Sequence, residues 1–479
     1  MKVPRLALAL FAVGASLLPL SSAGALSAPR AVELTLPTPN SGLNQGYLPF
    51  QSCSSLGNCS IAGIYVGAHG YAAGVIETEV KGVWRAPLNV TPPAGYSAAK
   101  GVTMEGLACP ADSMCVAIGQ YATSNDLLPF AKVEFAGKWQ KSVALALPAN
   151  ATSTGESATP HSIACASAGN CTVVGTYTTN TTLFTTEGFV ATEVKGVWHR
   201  ATQLALPANA NANPLVTLAQ VSCWSASSCV AVGSYVDDNN VERAVVVPEI
   251  AGSWRRALAV GLPGDASAFA GAEFNEVACA PTGSCLAAGT FNTFTGAVQP
   301  LVALSVDGVW DRALQISLPN RAPNPEALLY GFKGVACASA GNCALGGQYL
   351  DKGGHYQGFL DNVINGVVQH ARELALPAGA SQAGHNGGVV SVSCPGIGTC
   401  VAGAAYVDAS KKYVAYLVSE HHNVWSPGTS IRLPGVATTV GIAGGIYSVQ
   451  CFTLSTCQVS GSYESSTAHY DGFSLVTGA

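Results

Sequence analysis

A pair of cysteines separated by five residues occurs eight times in this chain of 479 residues, and no other feature constrains its fold as strongly. In the fourth copy, Val221–Tyr235, the pair is flanked by two short strand-like runs, the second ending on glycine and an aromatic residue. The first cysteines of successive copies lie 56, 56, 58, 56, 58, 57 and 57 residues apart. A regular period built from short strands indicates a radial or stacked array of one repeated unit.

Each repeat divides into four strand-like pieces, A to D, with the cysteines bounding the A–B turn and a glycine turn between C and D. Strand D alternates with a period of two, which places its aliphatic residues on one face. In one repeat that face carries Trp310, Arg312, Leu314, Ile316 and Leu318. We expect the aliphatic residues to pack on the neighbouring sheet, and the tryptophan and the basic residue to cover its rim.

The two ends of the chain predict that the array closes into a ring. The last repeat, residues 446–479, has strands A, B and C but no strand D. The segment Arg30–Pro37 aligns without gaps on Lys141–Pro148, a strand D, and places Val32, Leu34 and Leu36 on its aliphatic face. An open solenoid would instead need dissimilar caps, and two separate rings would need a linker.

This closure resembles the β-propeller family, and the resemblance covers residues 30–479. It implies an all-β fold, a single eight-bladed propeller of four-stranded blades. The N-terminal strand 30–37 would complete the blade of residues 446–479, and each blade would carry one disulfide. The Cys-x5-Cys repeat is also similar to that of uncharacterised secreted bacterial repeat proteins, which implies fold and location only.

Residues 1–25 have the three parts of a secretory signal peptide. Lys2 and Arg5 are basic, Leu6–Leu20 is apolar, and Ala23–Ala25 offers a small-residue cleavage site. An uncleaved anchor is the alternative, but it needs roughly 20 apolar residues. The mature domain is therefore expected to cover residues 26–479, to be secreted, and not to insert in a membrane after signal removal.

Because exported proteins fold in an oxidising compartment, we expect all sixteen cysteines to form local disulfides. Zinc is the alternative, but it favours two to four residues between paired cysteines and a second pair nearby. The predicted bonds are Cys53–Cys59, Cys109–Cys115, Cys165–Cys171, Cys223–Cys229, Cys279–Cys285, Cys337–Cys343, Cys394–Cys400 and Cys451–Cys457.

Charge and loop composition restrict the partners and cofactors. Removing Lys2 and Arg5 with the signal takes the formal net charge from −5 to −7, and basic residues do not cluster, which disfavours nucleic acid as a partner. Loop histidines His69, His355 and His469 lack a second ligand nearby, and Asp237–Asn240 lacks the ligand spacing of a calcium loop. We predict no metal site and no cofactor.

One turn, Ser305–Trp310, resembles a shortened Asp-box, the turn between the third and fourth strands of sialidase-like propellers. In that family the box is a fold element and not the active site. The catalytic residues of sialidases, an arginine triad with a Tyr/Glu pair, cannot be placed on this sequence because most of its arginines fall in the strand D rim position.

Propellers bind ligands at the mouth of the central channel, on the face that carries the D–A and B–C loops. Polar residues of strand A, just before the first cysteine, should approach this loop face. The predicted binding residues are Glu105, His161, Gln220, Asn275, Glu276 and Lys333. The alternative is that these polar side chains line the channel and are simply hydrated, without binding a ligand.

No catalytic motif of the common hydrolases or nucleotide-binding enzymes is present. The sequence therefore favours a secreted, non-catalytic binding or scaffold propeller that engages a glycan or an extracellular protein through its loop face. The alternative is a secreted polysaccharide hydrolase or lyase that uses Glu105 and Glu276 as channel-mouth carboxylates. A purely structural surface protein is a third, weaker reading.

Overall fold

The computed structural model describes residues 31–34, 36–37, 46–67, 70–97, 100–152, 157–180, 185–264, 266–267, 271–306, 308–319, 331–378, 380, 387–408, 413–434, 444–453, 455–464 and 470–478. Over these residues the chain forms eight antiparallel sheets and no helix. The predicted signal peptide, residues 1–25, lies outside the described residues, as do His69, His469 and Asp307.

Each sheet is one blade of an eight-bladed β-propeller, and its strands follow the chain order A, B, C, D from the inside outwards. The innermost A strands are Gly46–Ser55, Val102–Ala111, Ala158–Ser167, Thr217–Ser225, Ala272–Cys279, Phe332–Ser339, Gly388–Gly396 and Gly444–Cys451. The B strands are Asn58–Val66, Met114–Ala122, Asn170–Thr178, Ser228–Val236, Cys285–Asn292, Asn342–Leu350, Thr399–Val407 and Cys457–Glu464. The C strands are Ala72–Val80, Leu127–Phe135, Thr186–Val194, Glu242–Ile250, Val298–Val306, Tyr356–Ile364, Tyr413–His421 and Tyr470–Val476.

The outermost strand D is split into two short pieces in blades 1 to 7. They are Val83–Trp84 with Leu88–Asn89, Lys138–Trp139 with Val143–Ala144, Val197–Trp198 with Thr202–Gln203, Ser253–Trp254 with Leu258–Ala259, Val309–Trp310 with Leu314–Gln315, Val367–Val368 with Arg372–Glu373, and Val424–Trp425 with Thr429–Ser430. Both pieces pair with the same strand C.

The split corrects the predicted face of strand D. Trp310 lies opposite Ser305 and Leu314 lies opposite Val302, so four steps on strand D match three on strand C. This extra residue is a bulge, and it turns the side chain of Leu314 away from the core, where it is 47% exposed. Ile316 and Leu318 pack on the neighbouring sheet as predicted, because Ile316 is buried and Leu318 packs against the core cluster that blades 5 and 6 share.

The predicted ring closure is confirmed. Val32–Leu34 pairs antiparallel with strand C of blade 8, with Leu34 opposite Gly472. Leu34 and Leu36 are buried as expected, whereas Val32 is exposed because it starts the edge strand. Blades 8 and 1 also meet directly, since the Gln450 side chain accepts a hydrogen bond from the Cys53 amide (2.8 Å) and donates one to its carbonyl (2.7 Å).

The eight predicted disulfides are all present, one at the A–B turn of each blade. A glycine in strand B, which has no side chain, allows the backbone of strand A to approach strand B closely. At Gly233 an added Cβ would lie 1.8 Å from the Thr217 carbonyl oxygen, so no larger residue fits without a backbone shift.

The hydrophobic core is divided among the interfaces between blades. Between blades 4 and 5, for example, Val232 and Val246 pack against Phe274, Phe291 and Leu301. Each tryptophan of strand D joins the cluster that its blade shares with the preceding blade. The predicted role of the basic residue is also confirmed, because Arg200 donates to the Leu147 carbonyl of the preceding blade (2.7 Å).

Candidate functional site

A β-bulge occurs at the same position of strand A in several blades. In blade 2 the register steps from Met104–Gly119 to Gly106–Ile118, which leaves Glu105 unpaired. His161, Asn275 and Lys333 are skipped in the same way in blades 3, 5 and 6. Four of the six predicted binding residues therefore occupy one equivalent bulge position, four residues before the first cysteine.

The other two predicted residues, Gln220 and Glu276, lie one position further along and come together with Lys333. The Gln220 side-chain oxygen Oε1 accepts a hydrogen bond from the Val277 amide, and the same side chain hydrogen-bonds the Glu276 carboxyl. Burial raises the pKa of Glu276 to about 7, and the Gln220 hydrogen bond and the Lys333 charge oppose that rise. Three consecutive blades thus share one polar cluster.

The structure does not join Glu105 to this cluster. Glu105 lies on blade 2, three blades from Glu276, and the side chain that acts on it is Thr103 of its own strand. Burial raises the pKa of Glu105. On blade 3, His161 Nε2 lies 3.1 Å from Thr176 Oγ1, and burial lowers the pKa of this imidazole.

A crevice lies between blades 3 and 4, on the face of the cysteine turns. It has a volume of about 520 Å³ and includes the A–B turn residues Ser225–Ser227 in its walls. Its walls also carry Glu249 and Trp254, which pair across strands C and D. Thr192 and Gln203 contribute from blade 3. This face is opposite to the predicted loop face.

Some polar atoms in the walls of this crevice have no hydrogen-bond partner within the described part of the chain. Glu249 is 4% exposed, and its Oε2 has no hydrogen-bond partner there. Trp254 Nε1 is buried and lacks an acceptor in the same way. Burial raises the pKa of Glu249 to about 6. Buried donors and acceptors are nearly always paired, and both atoms are covered from solvent here, so a water or a ligand group reaches them only if these side chains turn towards the crevice.

Sequence reasoning missed this pair although the signal was present. Glutamate occurs five residues before tryptophan in five of the eight blades, at Glu79, Glu134, Glu193, Glu249 and Glu420. The register places each of these glutamates directly opposite its tryptophan and buries it.

A smaller crevice of about 220 Å³ lies between blades 6 and 7 and differs in its hydrogen bonding. Trp425 Nε1 donates to Asn362 Oδ1 (3.0 Å), and the Asn362 amide donates to Glu420. Asp361 also lines this crevice, and burial raises its pKa to about 7. The tryptophan and the glutamate are therefore both satisfied here by one asparagine.

The loops that were weighed as metal sites are held by internal hydrogen bonds. Asp237 accepts from the amides of Asn239 and Val241 and pairs with Arg243 at 2.8 Å. Asp351 accepts from the amide of His355 in the equivalent loop of blade 6. Over the described ranges no three histidine, cysteine or acidic side chains cluster as metal ligands would. Nor does any helix there have the length and hydropathy to cross a bilayer.

No protein-family model and no curated protein sequence matches the chain. Its fold is similar to several solved structures. One is a PL25 ulvan lyase (TM-score 0.42, 9% identity, 81% of this chain, 96% of that one). Another is a Trypanosoma rangeli sialidase (TM-score 0.33, 10% identity, covering 82% of this chain and 56% of that one), so the chain spans about half of the sialidase's length. A third is the fucose-specific lectin of Aleuria aurantia (TM-score 0.31, 13% identity, covering 72% of this chain and 100% of that one). At these values the likeness concerns the propeller fold alone.

Proposed function

We propose that this protein is a secreted, non-catalytic carbohydrate-binding propeller that holds its ligand in the crevice between blades 3 and 4. The observation that carries the proposal is the pair Glu249 and Trp254. One offers a buried acceptor and the other a buried donor, both without a partner among the described residues, in the wall of a crevice of about 520 Å³.

The chemistry of the walls favours a polyhydroxylated ligand. A sugar hydroxyl both donates and accepts, so adjacent hydroxyls satisfy a carboxyl and an indole N–H together. Thr192 adds a further polar group, and the Trp254 ring offers an apolar surface for the C–H groups of a sugar. Burial raises the pKa of Glu249, so in mildly acidic medium its carboxyl is partly protonated and can donate as well as accept a hydrogen bond.

This proposal places the ligand on the face of the cysteine turns. Binding at the loop face through Glu105, His161, Gln220, Asn275, Glu276 and Lys333 stays a prediction. Gln220 already has a structural task there, because it links the backbone of blade 5 to Glu276. The eight disulfides are in keeping with an extracellular location.

The proposal is tested by a glycan-array screen followed by calorimetric titration of each sugar that binds. Glu249→Gln keeps the shape of the side chain, and Trp254→Phe removes only the N–H and part of the ring. We expect each variant to lose at least tenfold in affinity for the sugar. Trp425→Phe, in the satisfied crevice between blades 6 and 7, is the matched control and should bind normally. Unchanged binding by the first two variants would refute the site.

A polysaccharide hydrolase or lyase is the second candidate, and Glu276 favours it. A carboxyl with a pKa of about 7 stays largely protonated near neutral pH and can act as a general acid. The test is the release of reducing or unsaturated ends from a polysaccharide panel by the wild type and by Glu276→Gln. Activity that disappears in the variant would support the enzyme. Absence of any product would leave the binding function as the better account.

A further inference from the structure

A cavity of about 560 Å³ lies on the loop face, at the outer edge of blade 4. Asp237 and Asn239 of the B–C loop and residues 261–264 of the D–A loop form part of its walls. Two arginines line it as well, Arg243 from strand C of blade 4 and Arg312 from between the two pieces of strand D of blade 5. The walls therefore carry two positive charges against one carboxylate.

Both guanidinium groups are held in place by the protein. Arg243 Nε donates to Asp237 Oδ2 (2.8 Å), and Asp237 is 1% exposed and accepts from two backbone amides of its own loop. Arg312 Nε donates to the Leu262 carbonyl oxygen of the D–A loop. A guanidinium that is already oriented loses less conformational freedom when it binds a ligand.

Blade 4 differs from the other blades at the strand C position that lies opposite the aromatic residue of strand B. From blade 1 to blade 8 the register places there Ala73, Leu128, Glu187, Arg243, Gln299, Gln357, Val414 and Asp471. Arg243 is the only cation among these eight residues. The positive charge is therefore a property of blade 4 and not of the repeat.

The residue of strand D beside this position also changes. In blade 3, Gln203 hydrogen-bonds Glu187, and in blade 5, Gln315 Nε2 donates to Gln299 Oε1 (3.0 Å). The equivalent residue of blade 4 is Ala259. Because alanine has only a methyl group, the space that a glutamine side chain takes up in blades 3 and 5 is open here, and Ala259 lines the cavity.

The same alanine leaves an amide donor at the cavity. In blade 3, Asn150 accepts from the tyrosine of strand B (2.9 Å) and donates from Nδ2 to Gln203 Oε1 (2.9 Å). Asn209 of blade 4 accepts from its tyrosine in the same way (2.9 Å) and lines the cavity. Ala259 has no side-chain oxygen, so a ligand oxygen can take the place that Gln203 Oε1 has in blade 3.

We propose that this cavity binds an acidic sugar whose carboxylate or sulfate group is held by Arg243 and Arg312. An oxyanion is the acceptor that the planar fork of a guanidinium matches. The side chains of Asn209, Asn239 and Ser267 in the walls suit the hydroxyl groups of a sugar. The inference goes beyond the proposed function and does not rest on it, because the crevice between blades 3 and 4 lies on the opposite face.

The test is calorimetric titration of the mature protein near neutral pH. The probes are trigalacturonate for the carboxylate, galactose 6-sulfate for the sulfate ester, galactotriose as a neutral sugar and triglutamate as an acidic peptide. We expect one of the two acidic sugars to bind, and galactotriose and triglutamate not to bind. The affinity should fall roughly fivefold as the ionic strength rises from about 0.02 to 0.2 M, because salt screens the charges.

Two variants locate the site. Ala259→Gln supplies the side chain that blades 3 and 5 carry, fills the cavity and should lower the affinity at least tenfold. Ala144→Gln, at the equivalent position of blade 2, is the matched control and should bind normally. Arg312→Lys keeps the charge but loses the planar fork, and should lower the affinity several-fold. Its control is Arg256→Lys, because Arg256 has the equivalent place on strand D of blade 4 and donates to Leu206.

The outcomes are decisive in both directions. Unchanged affinity in Ala259→Gln, or an equal loss in Ala144→Gln, would overturn the site. Galactotriose that binds as tightly as the acidic sugars would overturn the role of the arginines, and triglutamate that does so would overturn the choice of a sugar. No binding of either acidic sugar would overturn the inference. None of these results bears on the crevice between blades 3 and 4, which Glu249→Gln tests separately.

Discussion

Buried carboxyl groups predict that this protein loses stability as the pH rises from 5 to 8. Burial raises the pKa of Glu249 to about 6, and those of Glu276 and Asp361 to about 7. At the higher pH each of these groups must either ionise in a poorly solvated position or drive the chain towards the unfolded state, where it ionises freely.

The sign and size follow from proton linkage. A raised carboxyl pKa means that the folded protein binds more protons than the unfolded chain, so the free energy of unfolding falls as pH rises through this window. For Glu276, a rise from 4.5 to about 7 corresponds to ~3 kcal/mol at full titration, most of it between pH 5 and 8. Between pH 5 and 8 the three groups together correspond to a loss on the order of 7 kcal/mol.

Other groups limit the effect at lower pH. Burial lowers the pKa of His161, so the unfolded chain takes up a proton there first and stability from this residue falls as the medium becomes acidic. Hydrogen bonds lower the pKa of Asp112, Asp237 and Asp351, whose contribution is lost only as they are protonated in strong acid. We therefore expect the stability maximum in mildly acidic solution, near pH 5.

The assay is guanidinium chloride unfolding followed by tryptophan fluorescence at pH 5, 6, 7 and 8, with the disulfides intact. The unfolding midpoint should fall steadily over this range in the wild type. Glu276→Gln removes one titrating group and should reduce the total change by ~2 kcal/mol. A midpoint that is flat or rises from pH 5 to 8 would refute the reasoning.

Two further predictions concern the fold. Leu34→Ala removes a side chain that is 1% exposed from the strand that closes the ring, and should cost about 2–4 kcal/mol in chemical unfolding, whereas Val32→Ala, 58% exposed, should cost little. Gly233→Ala puts a Cβ 1.8 Å from a backbone oxygen and should abolish soluble expression, while Gly445→Ala, where an added Cβ meets nothing within 4 Å, should express normally.

The ring could be predicted from the sequence because its signals are periodic and local. Paired cysteines fix each A–B turn, and the incomplete last repeat requires a strand from elsewhere, which Val32–Leu34 supplies. The predicted packing of strand D was wrong at Leu314, just beyond the tryptophan, and correct at Ile316 and Leu318. An alternating pattern in the sequence cannot reveal a one-residue bulge, because the bulge depends on how strand D pairs with strand C.

The candidate site could be predicted only in part from the sequence. The equivalent position of Glu105, His161, Asn275 and Lys333 follows from counting back from the cysteines, and the structure confirms their common bulge. The crevice between blades 3 and 4 joins residues from two repeats. Its unsatisfied groups depend on which neighbour faces Trp254, and that pairing appears only when the blades are assembled.

The central claim is that a sugar binds between Glu249 and Trp254, and a crystal structure of the mature protein soaked with its tightest-binding oligosaccharide tests it most directly. Our account predicts sugar hydroxyl oxygens about 2.7–3.2 Å from Glu249 Oε2 and Trp254 Nε1. A sugar bound instead in the central channel beside Glu276 and Lys333, with only water in the crevice, would contradict it.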